Sequence, residues 1–399
     1  MTINNEHNKI NVPNLRFPEF QGEWEKCKLG DVCFFFSGGT PSSSNKDFYG
    51  GNIPFIRSGE LHKEETELFI TQSGYEKSSA KMVEVGDLLL AMYGATSGDV
   101  AISKIKGAIN QAILCIRTKH NNKFIESVWN KHVSKILVKY LQGGQGNLSA
   151  DIVKRISFSF PSLAEQEKIS HLIQLIDKRI STQNKVIDKL QSLIKGLNNS
   201  LYAQYGGKVL TSFAELGTSY SGLSGKSAQD FGSGKPFITY LNVYSNNVIN
   251  EKDFQYVTIK DGEKQNVVEY GDVLFTLSSE TPEEVGIGSV YLCKEKVYLN
   301  SFCFGIHITN KEVAFPPYLS YYVSSTAFRK FIYPYAQGST RFNLCKADFE
   351  KASIKLPTLE NQKRIYSILS HIDSKIETEK QMLDLYNSQK QYLLRQMFI

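Results

Sequence analysis

The chain has 399 residues, of which 41% are hydrophobic and 22% charged, which is the composition of an ordinary soluble globular protein. Its net charge of +6 permits nucleic-acid binding without demonstrating it, and six scattered cysteines without a C-x-x-C pair give neither zinc-ligand spacing nor a disulfide framework. No apolar run approaches the ~18 residues of a membrane span, and the polar start lacks the apolar core of a signal peptide, so we expect a cytoplasmic protein without membrane contact.

The first part of the chain predicts a strap followed by a mixed domain. Pro13 and Pro18 fix an extended lead-in with apolar anchors, so we predict an N-terminal strap over residues 1–20. A globular domain is assigned to residues 21–160. Within it, apolar runs bounded by turn residues predict strands at 52–57, 110–116 and 156–160 and, at 83–92, a turn that leads into a buried strand. Helical periodicity predicts a helix at 124–141.

Two long helices follow from apolar residues that recur at alternating steps of three and four. This spacing is typical of one seam of an amphipathic helix that packs against a partner helix. We predict a central spacer helix over residues 161–207 and a C-terminal one over 357–399, packed against each other in antiparallel orientation. The predicted seam residues are Ile169, Ile173, Ile176, Ile180, Ile187, Leu190, Ile365, Leu369, Ile372, Ile376 and Leu383.

The two halves of the chain repeat each other. Pro161 and Gln166 recur 196 residues later as Pro357 and Gln362, and a second globular domain is assigned to residues 208–356. The frame repeats while the loops between its elements differ in length, which indicates either two copies of one task on two targets or neutral drift of the loops. The predicted fold class is therefore α+β, with two globular target-recognition domains separated by two long antiparallel coiled-coil helices in a pseudo-twofold tandem duplication.

No catalytic constellation emerges from the motifs. Residues 225–227 read Gly-Lys-Ser, but Tyr220 stands where a phosphate-binding loop needs glycine. Residues 315–318 resemble a methyltransferase motif whose first side chain must accept a hydrogen bond, and Phe315 offers no acceptor. We interpret 316–317 as a turn that starts a helix over 318–331, and the acidic run 280–284 as a solvated loop. The chain is predicted to bind and position, without catalysing a reaction.

Polar loops in both globular halves are candidates for nucleic-acid binding. Side chains of Ser, Thr, Asn, Gln and Arg on such loops can read base edges, while Lys and Arg hold phosphates. The candidates in the first half are Thr40, Ser42, Arg57, Ser58, Tyr93, Thr96 and Gln145. The candidates in the second half are Ser224, Lys226, Tyr240, Asn242, Ser278, Thr281, Thr340 and Arg341.

The long helices add a constraint on what two such readers would recognise. A helix over residues 164–201 would span ~57 Å at ~1.5 Å per residue, whereas one turn of B-DNA is ~34 Å. Two readers on a rigid spacer would recognise two half-sites with a fixed number of unread base pairs between them. Because the two halves of the chain differ, the half-sites should differ as well.

The ordered, duplicated motifs resemble the specificity subunits of type I restriction–modification systems. The resemblance is carried by the opening at 13–20 with Trp24, by Leu29-Gly30-Asp31-Val32, by Gly86-Asp87-Leu88-Leu89, and by two Pro-x-Leu-x-x-Gln segments, Pro161/Leu163/Gln166 and Pro357/Leu359/Gln362. It covers nearly the whole chain. It implies a non-catalytic subunit that binds a split, asymmetric sequence in double-stranded DNA.

The resemblance also implies partners and their cofactors. Two modification subunits would use S-adenosylmethionine to methylate adenine at N6, and restriction subunits would use ATP and Mg²⁺ to translocate DNA and cleave it at a distance. This chain would bind none of these cofactors itself. Three alternatives remain open: a degenerate methyltransferase, a DNA-independent coiled-coil scaffold, and the recognition subunit of a fused restriction–modification enzyme that cuts on both sides of its site.

Overall fold

A computed structural model describes residues 11–140 and 147–399. The chain divides into two compact units. The first unit comprises the residues up to Asn184 together with Gln381–Ile399, and the second comprises Lys185–Lys380. Each of the two long helices crosses this boundary, so each unit contains one half of both helices.

The first unit alternates short strands with helices. Its strands are β1 (Glu25–Lys28), β2 (Cys33–Ser37), β3 (Tyr49–Ile56), β4 (Phe69–Ile70), β5 (Lys81–Val83), β6 (Leu88–Ala91), β7 (Val100–Ile102), β8 (Gly107–Ile109), β9 (Ile113–Thr118) and β10 (Ser157–Phe160). Its helices are α1 (Leu29–Val32), α2 (Gln72–Glu76), α3 (Asn122–Tyr140), α4 (Ala150–Arg155) and the start of α5 (Leu163–Tyr205).

A four-stranded antiparallel sheet of order β2-β9-β6-β7 forms the centre of the first unit. All four residues of strand β6 are buried, and because successive side chains point to opposite sides of a sheet, the strand is covered on both faces. Leu88 and Leu90 pack with Trp129 of α3, whereas Leu89 packs with Ile56 on the other face. A second sheet, β4-β3-β8-β5, contains a parallel pair between β3 and β8.

The second unit repeats this plan. Its strands are β11 (Val209–Thr211), β12 (Gly217–Ser221), β13 (Phe231–Ile238), β14 (Gln255–Val257), β15 (Val273–Thr276), β16 (Ser278–Ser279), β17 (Gly288–Val290), β18 (Tyr298–Leu299), β19 (Cys303–Ile308), β20 (Ala336–Gln337), β21 (Phe342–Leu344) and β22 (Ile354–Leu356). Its helices are α6 (Phe213–Leu216), α7 (Tyr240–Ser245), α8 (Pro316–Tyr322), α9 (Thr326–Ile332), α10 (Lys346–Lys351) and the start of α11 (Leu359–Met397).

The two sheets have the same topology. The order β12-β19-β15-β17 matches β2-β9-β6-β7, and the antiparallel ribbon β11·β22 matches β1·β10. The parallel pair also repeats, since Ile56 lies opposite Ile109 in the first unit and Ile238 opposite Leu299 in the second. The predicted α+β class with a tandem duplication is confirmed.

Two element predictions need correction. The helix predicted over 318–331 is interrupted, because Ser325 adopts an extended conformation and its Oγ accepts a hydrogen bond from the Phe328 N–H (3.1 Å), which caps a new helix, α9. The strand predicted from 110 starts only at Ile113, because Asn110 Oδ1 accepts a hydrogen bond from the Ala112 N–H (3.2 Å) and forms a turn.

Within each unit the halves of α5 and α11 pack in antiparallel orientation. In the first unit, Asp177 pairs with Lys390 (2.7 Å), and Arg179 lies over the ring of Tyr386. In the second unit, Arg364 lies over the ring of Tyr205, near the other ends of the helices. The predicted seam residues that are buried are Ile169, Ile173, Ile176, Ile187, Ile365, Leu369 and Ile376. Those that are half-buried are Ile180, Leu190, Ile372 and Leu383.

The repeated glutamine at the start of each long helix has a structural role. Gln166 is fully buried, donates to Pro161 O (2.9 Å) and accepts from the Asn121 N–H (3.1 Å). Gln362 donates to Pro357 O (2.9 Å) and accepts from the Phe315 N–H (2.8 Å). Each glutamine therefore joins the start of a long helix to the segment that precedes α3 or α8.

The described part of the N-terminal strap, residues 11–20, packs on the helices of the first unit. Arg16 forms a two-pronged ion pair with the buried Glu165, with both N–O distances at 2.7 Å. Trp24 Nε1 donates to the same carboxylate (3.3 Å), and the Leu15 N–H donates to Gln396 O (2.9 Å). The strap is thus held by the first turn of α5 and the last turn of α11.

Candidate nucleic-acid interfaces

The central sheet of the first unit brings several loops to one edge, which we call the first loop edge. Here β2 and β6 end and β9 begins, since Ser37 lies opposite Leu114 and Ala91 opposite Ile113. The Asn110 N–H donates to Ile56 O (3.2 Å), which brings the end of β3 to the same edge. The loops that follow β2, β3 and β6 and the loop that precedes β9 therefore meet within one small area.

A glycine is required at this edge. The Gly38 N–H donates to Ile113 O (3.4 Å), and a Cβ atom at Gly38 would lie 1.8 Å from Ile109 O. Gly222, which follows β12 as Gly38 follows β2, is under the same constraint, because its Cβ atom would lie 2.0 Å from Asn300 O. The repeated Ser-Gly pair thus allows the loop after the strand to pass close to the neighbouring backbone.

The first loop edge brings together the described candidates of the first half. Thr40 and Ser42 lie exposed in the loop after β2, and Tyr93 and Thr96 lie in the loop after β6. The exposed Gln111, which the sequence reasoning missed, contacts the Thr40 hydroxyl. Its only signal in the sequence was its place next to Asn110, the residue that corresponds to Asn300 in the second half. The candidate Gln145 lies outside the described residues.

Arg57 and Ser58 directly follow β3, and Arg57 is held by a buried carboxylate. Glu60 accepts from the Arg57 side chain (2.9 Å), from the Arg57 N–H (3.2 Å) and from the Thr66 hydroxyl (3.1 Å). Burial alone would raise the pKa of Glu60, but these hydrogen bonds outweigh it and lower the pKa to about 2. The carboxylate is therefore charged at neutral pH and fixes the direction of the guanidinium group.

The second unit has an equivalent second loop edge, built in the same way. Ser221 lies opposite Phe304, and Thr276 lies opposite Cys303. The Asn300 N–H donates to Ile238 O (2.9 Å), as Asn110 does in the first unit. The Asn300 side chain also repeats the turn, because its Oδ1 accepts from the Phe302 N–H (2.9 Å).

Four candidates of the second half line one cleft at the second loop edge: Tyr240, Ser278, Thr340 and Arg341. The Tyr240 hydroxyl donates to Ser278 O (2.8 Å), and Arg341 Nη2 donates to Ser278 Oγ (3.2 Å). The exposed Thr281 follows Glu280, which also lines the cleft. The four candidates supply hydroxyl groups, an amphipathic ring and one guanidinium group, which can contact the edges of bases.

Three remaining candidates lie outside this cleft. Lys226 is nearly buried and binds the Glu263 carboxylate (2.6 Å), and the adjoining Ser224 is exposed in the same loop. Asn242 is buried and donates to Asn250 O (2.9 Å). Since Lys226 and Asn242 do not line the cleft and each binds an internal partner, we do not include them in the second loop edge.

The segments that resemble catalytic motifs in the sequence, 225–227 and 315–318, do not form the corresponding sites in the structure. Ser227 is followed by a single turn over Ala228–Asp230, whereas a phosphate-binding loop requires a helix there. Phe315 binds Gln362 through its backbone, as described above. Burial raises the pKa of the Cys115 thiol to about 12, which leaves it protonated at neutral pH.

The described ranges, 11–140 and 147–399, contain neither a candidate metal site nor a candidate membrane-spanning helix. No group of three His, Cys, Asp or Glu side chains within these ranges could hold a metal ion. None of the helices described is both long and apolar enough to cross a membrane.

A family model for the type I restriction modification DNA specificity domain matches the chain twice, over residues 21–192 and 214–385. The MjaVIII specificity subunit of a type I restriction enzyme from Methanocaldococcus jannaschii is 23% identical over 404 residues, covering 95% of this chain and 92% of the relative. The EcoR124I/EcoR124II specificity subunit from Escherichia coli is 26% identical over 203 residues, which is 48% of each chain.

Solved structures share the fold. The S subunit of a type I restriction–modification system from M. genitalium superposes with a TM-score of 0.56 at 12% identity, covering 97% of this chain and 99% of that one. A chain from a study of assembly and conformational transition in the type I system superposes with a TM-score of 0.58 at 16% identity, covering 93% and 96%. At these identities the likeness concerns the fold.

Proposed function

This chain belongs to the family of type I restriction–modification DNA specificity domains, and from that premise we propose how it works: each of its two units reads one half of a split, asymmetric DNA sequence. The first loop edge reads one half-site and the second loop edge reads the other. The chain is the recognition subunit of a type I restriction–modification enzyme.

One observation supports the proposal most strongly: two sheets of identical topology present different side chains at equivalent edges. Gln111 and Ala112 follow the first turn asparagine, whereas Ser301 and Phe302 follow the second. Equal frames with unequal loops are what two readers of two different base sequences require. The 43 residues of α5 and the 39 residues of α11 supply the spacer between the half-sites in this proposal.

The catalytic steps belong to partner subunits in this proposal. Two modification subunits bind S-adenosylmethionine and methylate adenine at N6, and restriction subunits use ATP and Mg²⁺ to move along DNA and cut it. The recognition chain binds none of these cofactors and works in the cytoplasm, where the DNA is. Its contribution is to place the methyltransferases on the correct adenines.

The methylome of a host that lacks other adenine methylation tests this function. The chain is expressed with its modification subunits, and the DNA is sequenced for N6-methyladenine. We expect one two-part, asymmetric motif, methylated on both strands. A complex that assembles but methylates no two-part motif would contradict the proposed function.

A further inference from the structure

The second loop edge carries an exposed apolar pair that polar base contacts do not explain. Phe302 is 54% exposed and Leu241 is 68% exposed, and both line the cleft that contains Arg341. Single exposed apolar residues are ordinary, but two beside a guanidinium group at a binding edge call for a ligand. The ligand must offer an apolar group next to hydrogen-bond acceptors.

Rigid supports hold both side chains outward. The Phe302 N–H donates to Asn300 Oδ1 (2.9 Å), and Phe302 O accepts from the Leu277 N–H (2.9 Å). Leu241 lies in the first turn of α7, where Thr239 Oγ1 accepts from the Asn242 N–H (3.1 Å). Because the backbone is fixed on each side, burying these side chains against a ligand requires little rearrangement.

Arg341 is oriented by the same cluster. Its guanidinium group lies over the Phe302 ring, 5.7 Å from the ring centre, and Nη2 donates to Ser278 Oγ (3.2 Å). Within the described part of the chain, no carboxylate forms an ion pair with it. The remaining donors of the planar group are therefore available for a ligand with two acceptors.

The charge of the cleft favours base edges over phosphates. Glu280 and Glu284 line the cleft with Arg341, and two carboxylates would repel a phosphate group. Glu284 accepts from the Tyr244 hydroxyl (2.7 Å) and from Ser279 Oγ (3.0 Å), so it is fixed in place. A neutral base edge in the major groove meets no such repulsion.

We infer that this cluster reads a thymine next to a guanine in the half-site of the second unit. Phe302 and Leu241 enclose the thymine 5-methyl group, and Arg341 donates to O6 and N7 of guanine. This inference rests on the proposed function and adds the bases that the second unit recognises. The first unit has Ala112 at the position equivalent to Phe302, so it has no aromatic ring at this position.

The test replaces thymidine by deoxyuridine, which differs from it only in lacking the 5-methyl group of the base. The second unit's half-site is first identified as the one that stays unchanged when residues 25–155 are exchanged for another family member's. Methyl transfer by the full complex is then measured on duplexes with thymine or deoxyuridine at the inferred position. We expect the wild-type complex to be about fourfold slower on deoxyuridine, and Phe302→Ala or Leu241→Ala to reduce this difference.

Matched variants complete the test. Phe231→Ala removes an exposed phenylalanine at the far end of β13 and should keep the fourfold difference. Arg341→Ala should lower discrimination for guanine by on the order of tenfold, with the first half-site still read. A second half-site without adjacent thymine and guanine, or an equal deoxyuridine effect in wild type and Phe302→Ala, would overturn the inference. A wild-type complex without any two-part motif would instead refute the proposed function and this inference with it.

Discussion

Asn110 and Asn300 illustrate how one side chain builds a loop edge in each unit. Each accepts a hydrogen bond from the backbone N–H two residues ahead and thereby ends the turn before β9 or β19 of the central sheet. The repeat of these asparagines was visible in the sequence. Their role was not, because the hydrophobic pattern of 110–116 suggested a continuous strand.

Gln166 provides a test of the repeated proline–leucine–glutamine segment. Its replacement by alanine leaves the buried Pro161 carbonyl and the half-buried Asn121 N–H without this partner, and a buried polar group without a partner costs about 1–3 kcal/mol. We expect Gln166→Ala to lower the free energy of unfolding by about 2 kcal/mol or more, measured by urea titration. Both tryptophans, Trp24 and Trp129, are buried in the first unit, so their fluorescence reports on it.

The matched control for Gln166 is Gln174→Ala, which removes an exposed glutamine two turns further along the same helix. The free energy of unfolding of this variant should lie within about 0.5 kcal/mol of the wild-type value. An equal effect of the two substitutions would show that the buried amide does not stabilise the first unit.

Glu60 gives a prediction about pH. Its folded pKa of about 2 lies below the ordinary value of 4.5, so its contribution to stability is present above pH 4.5 and is lost as the pH falls towards 2. Glu60→Gln should therefore destabilise the first unit at pH 7 by on the order of 1–3 kcal/mol. The difference between variant and wild type should shrink steadily below pH 4.5 in urea titrations followed by tryptophan fluorescence.

Glu67→Gln is the control for Glu60, because Glu67 contacts the same arginine but its side chain is 76% exposed. An exposed ion pair contributes at most about 1 kcal/mol, so this variant should show little change at either pH. If the Glu60 variant kept the same deficit at pH 3 as at pH 7, the charged carboxylate would not be the source of its stability.

At the scale of elements, periodicity predicted the buried strand β6 and the long helices. Strand β6 and helices α3, α5 and α11 follow from apolar spacing, because burial of those residues decides the structure. The break between α8 and α9 depends on one serine cap, and apolar spacing carries no information about it. The grouping of loops at each edge depends on strand order, which a single sequence does not contain.

Ile176 tests the seam of the long helices in the first unit. Its side chain is 5% exposed and packs in one core with Trp24, Leu393 and Met397. Ile176→Asp would bury an unpaired charge, so we expect a loss of at least about 4 kcal/mol in urea titrations and loss of the two-part methylation motif. Leu175→Asp, at a neighbouring position that is 47% exposed, should retain both stability and motif. Equal stability and equal methylation by the two variants would contradict the claim that Ile176 packs in the seam between the long helices.

At the scale of the whole molecule, the duplication itself was predictable from the sequence. Which polar loop residues are available to bind a ligand, and which stabilise their own loop, was not. The offset of 196 residues revealed two copies, and the strand order of both sheets agrees with it. Several candidates that sequence chemistry favoured, such as Lys226 and Asn242, have internal partners instead. A polar residue in a loop can bind a ligand or hold the loop, and only its neighbours decide between these roles.

The most direct test of the account is exchange of one unit's globular part. Residues 25–155 are replaced by the equivalent residues of another family member, and the methylomes of parent and hybrid are compared. We predict that one half of the two-part motif changes to the donor's sequence while the other half and the gap between them stay the same. A hybrid that assembles and methylates DNA, but with both halves changed, would contradict the claim that each unit reads its own half-site.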